Sequence, residues 1–502
     1  MTPHFPHLPH GCGRTRRQFL LDTGMGFTGL ALNAMIFRDG AAQAASVQEV
    51  HGALTGWQTG EAKAKSVIWI FMIGGVSHME SFDPKPELTK YGGLSIDETP
   101  YKAAADQGKI NKILAEPGKE KREVFKKIFP LIAGSKKYGR SGTEVSDLFP
   151  HIGGVVDDLA VLRGMWTIDN NHGAQLTFHT GRKIGDTGHP TVGAWASYGL
   201  GTLNANLPEF VVLGDPSADC CGRSYTYGSA YLGPEYGGVR LKVDAKDPLS
   251  YVHPADPRLT LAEQRDSFSL LGQLNQLSGI DYPDDAGLRA RIKSYELAFQ
   301  MQMAVPELMD FSKESAHTQK LYGLDRKECV TFGSQCLAAR RLVEQGVRFV
   351  QLFHGYNGGA GRWDHHSNIA TGMPPVAREV DQPVAGLIRD LKQRGMLDET
   401  LVVWGTEFGR TPGAEFRGTS KGSGRDHHPH GFSCWMAGGG VKGGVVHGAT
   451  DELGFHAVEN RHYVTDIHAT TLHQLGLNHR MMVPGRQRLD QDWGEVIKDI
   501  LV

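Results

Sequence analysis

The chain has 502 residues, enough for one large domain or two to three ordinary ones. Its 40% hydrophobic and 22% charged residues fit a globular protein. A net charge of −2 removes any global field that would favour nucleic acid or an anionic membrane, so no nucleic-acid partner is expected.

The N-terminus reads as an export signal. "TRRQFLL" (15–21) places Arg16 and Arg17 ahead of Phe19 and Leu20, and a mildly apolar, Gly-rich stretch runs on to Phe37. "AAQAAS" (41–46) then offers an A-x-A cleavage site after Ala44. Residues 1–44 are therefore expected to be a twin-arginine signal peptide, and 45–502 the mature chain, delivered to the periplasm or cell envelope. Asp22, Asn33 and several glycines make the apolar run a poor membrane span, and no transmembrane span is expected in the mature chain. Cys12 would leave with the signal. The remaining Cys220, Cys221, Cys329, Cys336 and Cys434 are odd in number, so at least one thiol is free or pairs between chains.

Along the mature chain short apolar runs alternate with helical patterns. "SVIWIFMI" (66–73) has the character of a buried parallel strand. Residues 85–145 form a polar excursion. A helix and short strand follow in 151–166, a helix entered at Pro190 spans 189–201, and a strand lies in 207–214. Residues 215–320 are a long polar insertion, with helices near 285–312. A helix (328–346), a strand (347–355), an amphipathic helix (376–395) and a strand (400–409) come next, then a short strand-like run (430–440) and a helical end from about 463. This alternation predicts an α/β fold: a doubly wound, mostly parallel sheet with helices on both faces and long insertions, in one domain over 45–502.

The polar motifs fall after strands. "GGVSHMESFD" follows the first, "HGYNGGAGRWDHHSN" the strand at 347–353, and "GTEFGRTP" the strand at 401–404. Open α/β sheets bind ligands beyond the carboxyl ends of their strands, so these loops should converge. Asp364, His365 and His366 occupy one loop; Asp426, His427, His428 and His430 lie in a Gly-rich stretch further on. Mixed imidazole and carboxylate donors suit zinc, iron or manganese. Surface histidines with Asp caps are the bland alternative.

"DQPVAGLIRDLKQRGMLDETLVVWGTEFG" (381–409) resembles the helix, Leu-Asp-x-Thr turn and strand that lead into a metal loop in sulfatases. "NNHGAQLTFHTGR" (170–182) resembles their nucleophile element, C-x-P-S-R, four residues, then T-G. Counting back from Thr180-Gly181 puts Asn171 at the Cys position, Gly173 at Pro, Ala174 at Ser and Gln175 at Arg. The motif order is similar to the alkaline-phosphatase-like (sulfatase/phosphatase) superfamily. The set "TRRQFL … GG-x-SH … FDPKPE … WDxHSN … EFGRTP … GRDHHP" resembles an exported branch, the domain of unknown function 1501 family, over most of the mature chain.

The resemblance implies a metal-dependent hydrolase of phosphate or sulfate esters using metal-activated water. The alternative is a catalytically inactive envelope protein of the same fold that binds an anionic glycan or a protein partner. Asp364, His366 and His427 match the superfamily's Asp-His-His metal set, with Glu407, His428 and His78 nearby. The metal would be zinc, manganese, iron or calcium. Glu407 can serve as a ligand, orient a histidine, or pair with Arg410. Arg362 and Arg425 flank the clusters as candidates to hold an anionic small-molecule or glycan substrate. Asn171 can donate a hydrogen bond to a substrate oxygen, and His172 can act as base, ligand or nucleophile. Asn170 or Asn171 as a mere helix cap is the simpler option.

The departures are equally definite. Gly74-Gly75 stand where sulfatases carry paired aspartates, Glu407-Phe408 where they carry Asp-His, and no formylglycine precursor is present. Ordinary formylglycine sulfatase chemistry is therefore not expected. Replacing Arg16 and Arg17 together by lysine is expected to abolish export, as followed by fractionation and N-terminal sequencing of the exported chain near Ala45.

Overall fold

The computed structural model describes residues 62–105, 124–243, 304–480 and 494–502, positions 187, 205, 217, 219, 220 and 419 excepted, with scattered positions between 260 and 301. The expected signal segment 1–44, residues 106–123 of the polar excursion and much of the 215–320 insertion lie outside the described residues.

Among the described residues, nine strands form one sheet. In chain order they are β1 (Ser66–Met72), β2 (Leu159–Trp166), β3 (Phe210–Leu213), β4 (Val239–Leu241), β5 (Phe349–His354), β6 (Thr400–Thr406), β7 (Phe432–Ala437), β8 (Val445–His447) and β9 (His462–Tyr463). They lie in the order β8-β2-β7-β6-β1-β5-β3-β4, with β9 also paired to β2. The sheet is mostly parallel, as the alternation predicted. β7 is the exception, antiparallel to both β2 and β6.

Helices cover both faces: α1 (Ala174–Thr180), α2 (Val192–Leu200), α3 (Val330–Glu344), α4 (Ile369–Gln393) and α5 (Val464–Gln474). β1 shows why. Every one of its side chains is buried, so both pleat faces need a partner. Ile68, Ile70 and Met72 enter a core with Leu337 of α3 and Val380 and Leu387 of α4. Val67, Trp69 and Phe71 enter the opposite core with Phe178 of α1, Trp195 of α2 and Ile467 of α5.

Two local expectations shift. The helix expected to open at Pro190 begins at Val192, because the Thr191 hydroxyl accepts from the Ala194 N–H and caps it. The polar excursion is not wholly surface. Leu88, Ile96 and Ile128 bury with Met79 and Leu453 in a small satellite core.

Strand register places the site. Met72 pairs with His354 of β5 on one side and Thr406 of β6 on the other, so three parallel strands end level. Their following loops leave the sheet side by side. Beyond β6 comes an antiparallel hairpin, Gly409–Ala414 with Arg425–His428, broken by a bulge between Arg425 and His427. In sequence both arms have the Gly- and polar-rich character of loop.

Gly405, near the end of β6, sits under the Phe178 ring. A Cβ there would fall 2.2 Å from Phe178 Cζ. Gly405→Ala is expected to lower stability by about 1–3 kcal/mol through overpacking, read from the urea denaturation midpoint.

Candidate metal centre

Four side chains from three segments meet at the level strand ends. His172 precedes α1, Asp364 and His366 follow β5, and His427 lies on the second arm of the hairpin. Their donor atoms lie within 4.8 Å of one another. The inner set is tighter. His366 Nε2 is 3.0 Å from Asp364 Oδ1, His427 Nε2 is 3.1 Å from the same oxygen, and the two Nε2 atoms are 2.9 Å apart. Three protein ligands with bonds near 2.1 Å in a tetrahedral site are separated by about 3.4 Å, so the triangle is close to the size such a site requires.

The outer nitrogens are anchored. His427 Nδ1 lies 2.8 Å from the Asn170 carbonyl oxygen, and His366 Nδ1 contacts Glu415 Oε2 at short range. Glu415 and Asp426 are themselves held by Arg417, at 3.0 and 2.7 Å. Outer partners of this kind fix ring orientation and turn Nε2 inward.

Electrostatics concentrate on Asp364. Burial alone would raise its carboxyl, but Arg410 at 2.7 Å and the hydrogen bonds from His172, His366 and His427 hold it well below the ordinary carboxylate range. His427 is driven well below the usual histidine value by burial and is therefore a neutral ring. A neutral imidazole carries one N–H, yet His427 faces oxygen acceptors at both nitrogens. Burial works against protonation of His172 too, but hydrogen bonds to Asp364 and Glu407 outweigh it and push its pKa up to about 9. His366 is raised for the same reason, by Asp364 and Glu415 against burial. Without a metal, the cluster collects protons around one carboxylate.

Glu407 is completely buried and is no part of the inner triangle. Its Oε1 accepts from His172 Nδ1 at 3.1 Å and Gln175 Nε2 at 3.2 Å, and the Gly74 N–H donates to both oxygens at 2.9 and 3.1 Å. Of the three roles open to it, the geometry matches orienting a histidine. Arg410 pairs with Asp364 instead.

Of the remaining candidates, His428, His78 and Arg362 are engaged elsewhere. His428 neighbours His427 on a strand, so the two point to opposite sides; His428 reaches the Phe455 carbonyl and stacks on the Phe455 ring. His78 is buried against the Gly454 carbonyl at 2.7 Å, and desolvation pulls its pKa down to about 4. Arg362 forms a two-pronged pair with Glu379 of α4, at 2.5 and 2.6 Å. Asn171 is exposed; its backbone N–H donates to Asp169. Neither Asn170 nor Asn171 caps α1, whose N-cap is Gly173 with no side-chain cap. The Asn170 carbonyl anchors His427 instead.

Arg410, Gln175, Glu415 and Phe408 complete the surroundings and were not assigned to the site from sequence. Gln175 was noticed only as a departure from a motif. Phe408 lies under His427, ring centroids 4.3 Å apart.

Arg425 is the clearest displacement. It is fully buried, with Nη2 2.7 Å from Glu80 Oε1 and further bonds to the carbonyls of Thr411, Pro412 and Phe129. That leaves no face for a substrate. Arg425→Met is expected to cost about 3–5 kcal/mol in a denaturation experiment, because Glu80 becomes a buried, unpaired charge.

Among solved structures, the lipoteichoic acid synthase LtaP from Listeria monocytogenes is similar at 9% identity and TM-score 0.36, covering 90% of this chain and 81% of that one. The PsFucS1 sulfatase from Pseudoalteromonas sp. is similar at 11% identity and TM-score 0.35, covering 94% and 76%. The alkaline phosphatase of the Antarctic bacterium TAB5 is similar at 9% identity and TM-score 0.30, covering 76% and 94%. At that distance the likeness assigns no role to any residue here. No curated protein matches the chain. The model of the family described as protein of unknown function (DUF1501) matches residues 64–501, from the first strand through the last described turn, and the chain belongs to that family.

Proposed function

We propose that the protein is an exported, metal-dependent hydrolase of phosphate or sulfate esters, with its metal held by Asp364, His366 and His427. One observation carries the reading: three donor atoms face one another at 2.9–3.1 Å while the far nitrogens of both rings are tied down. Two imidazoles and a carboxylate suit a zinc-, iron- or manganese-type ion better than calcium, which prefers oxygen ligands. Charge agrees. Asp364, Glu407, Glu415 and Asp426 against Arg410, Arg417 and a protonated His172 leave the cluster net negative, which favours a cation.

When bound, such an ion stabilises charge on an ester oxygen and acidifies a water. The chain's own residues do the rest. Phe408 and the buried hairpin exclude water from one side of the cluster. Glu407 fixes His172 by accepting from Nδ1, which leaves Nε2 turned to the cluster, 3.3 Å from Asp364 Oδ2. With a proton on each ring nitrogen, one facing Glu407 and one facing Asp364, His172 serves through Nε2 as the general acid for the departing oxygen. Asn171, exposed beside it, supplies an amide hydrogen bond to a substrate oxygen. The absence of Ser, Thr or Cys at position 171 favours direct attack by water over a covalent intermediate. The arginine pair and Ala-rich segment at 15–46 support twin-arginine export to the periplasm or envelope.

Asp364→Ala with His427→Ala is expected to lower bound metal by about one ion per chain and to abolish ester hydrolysis, by metal analysis and by assay against aryl phosphates and sulfates. His172→Ala is expected to keep the metal and lose about 10²–10⁴-fold in turnover, the range for one acid–base group. Asn171→Ala should lose about 10²-fold. Equal metal content in the wild type and the double variant overturns the site; bound metal without hydrolysis of either ester class overturns the activity and leaves a binding protein.

A further inference from the structure

A pair of histidines outside the centre above faces across the edge of the sheet. β8 pairs with β2 through His447 opposite Leu162, and β9 pairs with β2 through His462 opposite Met165. β7 already occupies the other edge of β2 at both places. β8 and β9 therefore lie end to end along one edge, and the two histidines meet at the seam. Their Nε2 atoms are 2.9 Å apart, with ring centroids 5.1 Å apart and planes tilted by 30°.

The two rings are unequally anchored. His462 Nδ1 is 2.7 Å from Asp466 Oδ2 in the first turn of α5. A carboxylate only accepts, so Nδ1 carries the proton and His462 Nε2 presents a lone pair toward His447. A carboxylate behind a histidine whose other nitrogen faces a second imidazole is the arrangement of oriented metal ligands. His462 and Asp466 keep 18% and 14% of their side-chain surface exposed, so the seam is open to exchange with solvent.

The location suggests what such an ion would do. The chain leaves the edge at His447 and returns at His462. Between them it carries the Gly454 and Phe455 carbonyls that hold His78 and His428, beside the hairpin of the first centre. A bridge between the two histidines closes the base of that excursion.

We propose that His447 and His462 hold a transition-metal ion through their facing Nε2 atoms, oriented by Asp466, as a structural clamp on residues 448–461. Water fills the remaining positions. Two imidazole nitrogens select a zinc-, copper- or nickel-type ion over magnesium or calcium. The site stands apart from the hydrolase reading and shares no residue with it. The competing arrangement is a metal-free hydrogen bond, with His447 protonated at Nε2.

The test uses full-length protein and Zn2+ alone, in equilibrium dialysis with metal analysis. In the Asp364→Ala, His427→Ala background, about one Zn2+ per chain is expected to remain. Adding His447→Gln or His462→Gln should remove it, and Asp466→Asn should weaken binding by about 10–100-fold. Zn2+ should also raise the melting temperature of this background, and fail to do so once His447 is replaced. Should the background variant not fold, the same difference of about one ion is read between the wild type and His447→Gln, with circular dichroism confirming the fold. Equal zinc content with and without His447, or no zinc in a folded background variant, overturns the proposal. Loss of zinc only from the Asp364 centre sinks the proposal while leaving the hydrolase reading intact.

Discussion

The Arg410 guanidinium is the point on which the site depends. It is almost wholly buried, and it reaches three loops at once. Nε donates to the Gly75 carbonyl at 2.8 Å and Nη2 to the Gly74 carbonyl, both in the loop after β1. Nη2 also meets Asp364 Oδ1 in the loop after β5, and Nη1 donates to the Arg425 carbonyl across the hairpin at 3.2 Å. Buried charge is tolerated when it is paired and hydrogen-bonded, and Arg410 is paired with Asp364 and bonded at all three of its nitrogens. Its planar fork is what lets a single side chain bind a carboxylate and several carbonyls in fixed directions.

The two glycines after β1 follow from that constraint. A Cβ on Gly75 would lie 2.4 Å from the Phe408 ring and 3.2 Å from Arg410 Nη2. A Cβ on Gly74 would lie 2.6 Å from the Asp364 nitrogen. Both residues also hold positive φ, at 125° and 82°. Both positions are thus given over to close packing against Arg410, Phe408 and the loop that carries Asp364. Glu407 is consequently freed from the inner triangle and accepts from the Gly74 N–H and His172.

Around the triangle, polar contacts are arranged in layers. Asn170 and Glu415 hold the two inner rings, Arg417 holds Glu415 and Asp426, and Glu407 holds His172. Glu415 and Glu407 are themselves bound, by Arg417 and by the Gly74 N–H, which helps the rings keep their orientation. Low local polarity makes such a network strong when satisfied and costly when one member is lost. The level ends of β1, β5 and β6 supply the platform, because a parallel register carries all three loops off the same edge.

The sequence alone determined the fold class, because a sheet buried on both faces leaves a signature of short, continuous apolar runs between amphipathic helices. It also singled out Asp364, His366 and His427 through the resemblance to the superfamily's Asp-His-His metal set, and the structure brings those three side chains together. It did not separate His427 from His428: strand alternation sends them apart, and the strand was hidden in a Gly- and His-rich run that reads as loop. Nor did it distinguish Arg425, sealed against Glu80, from an arginine facing a ligand; burial depends on residues about 345 positions away. Arg410 and Glu415 stayed illegible for the same reason. A charged side chain looks alike in sequence whether solvated or buried, and only the packing of distant segments decided which of these charges build the site.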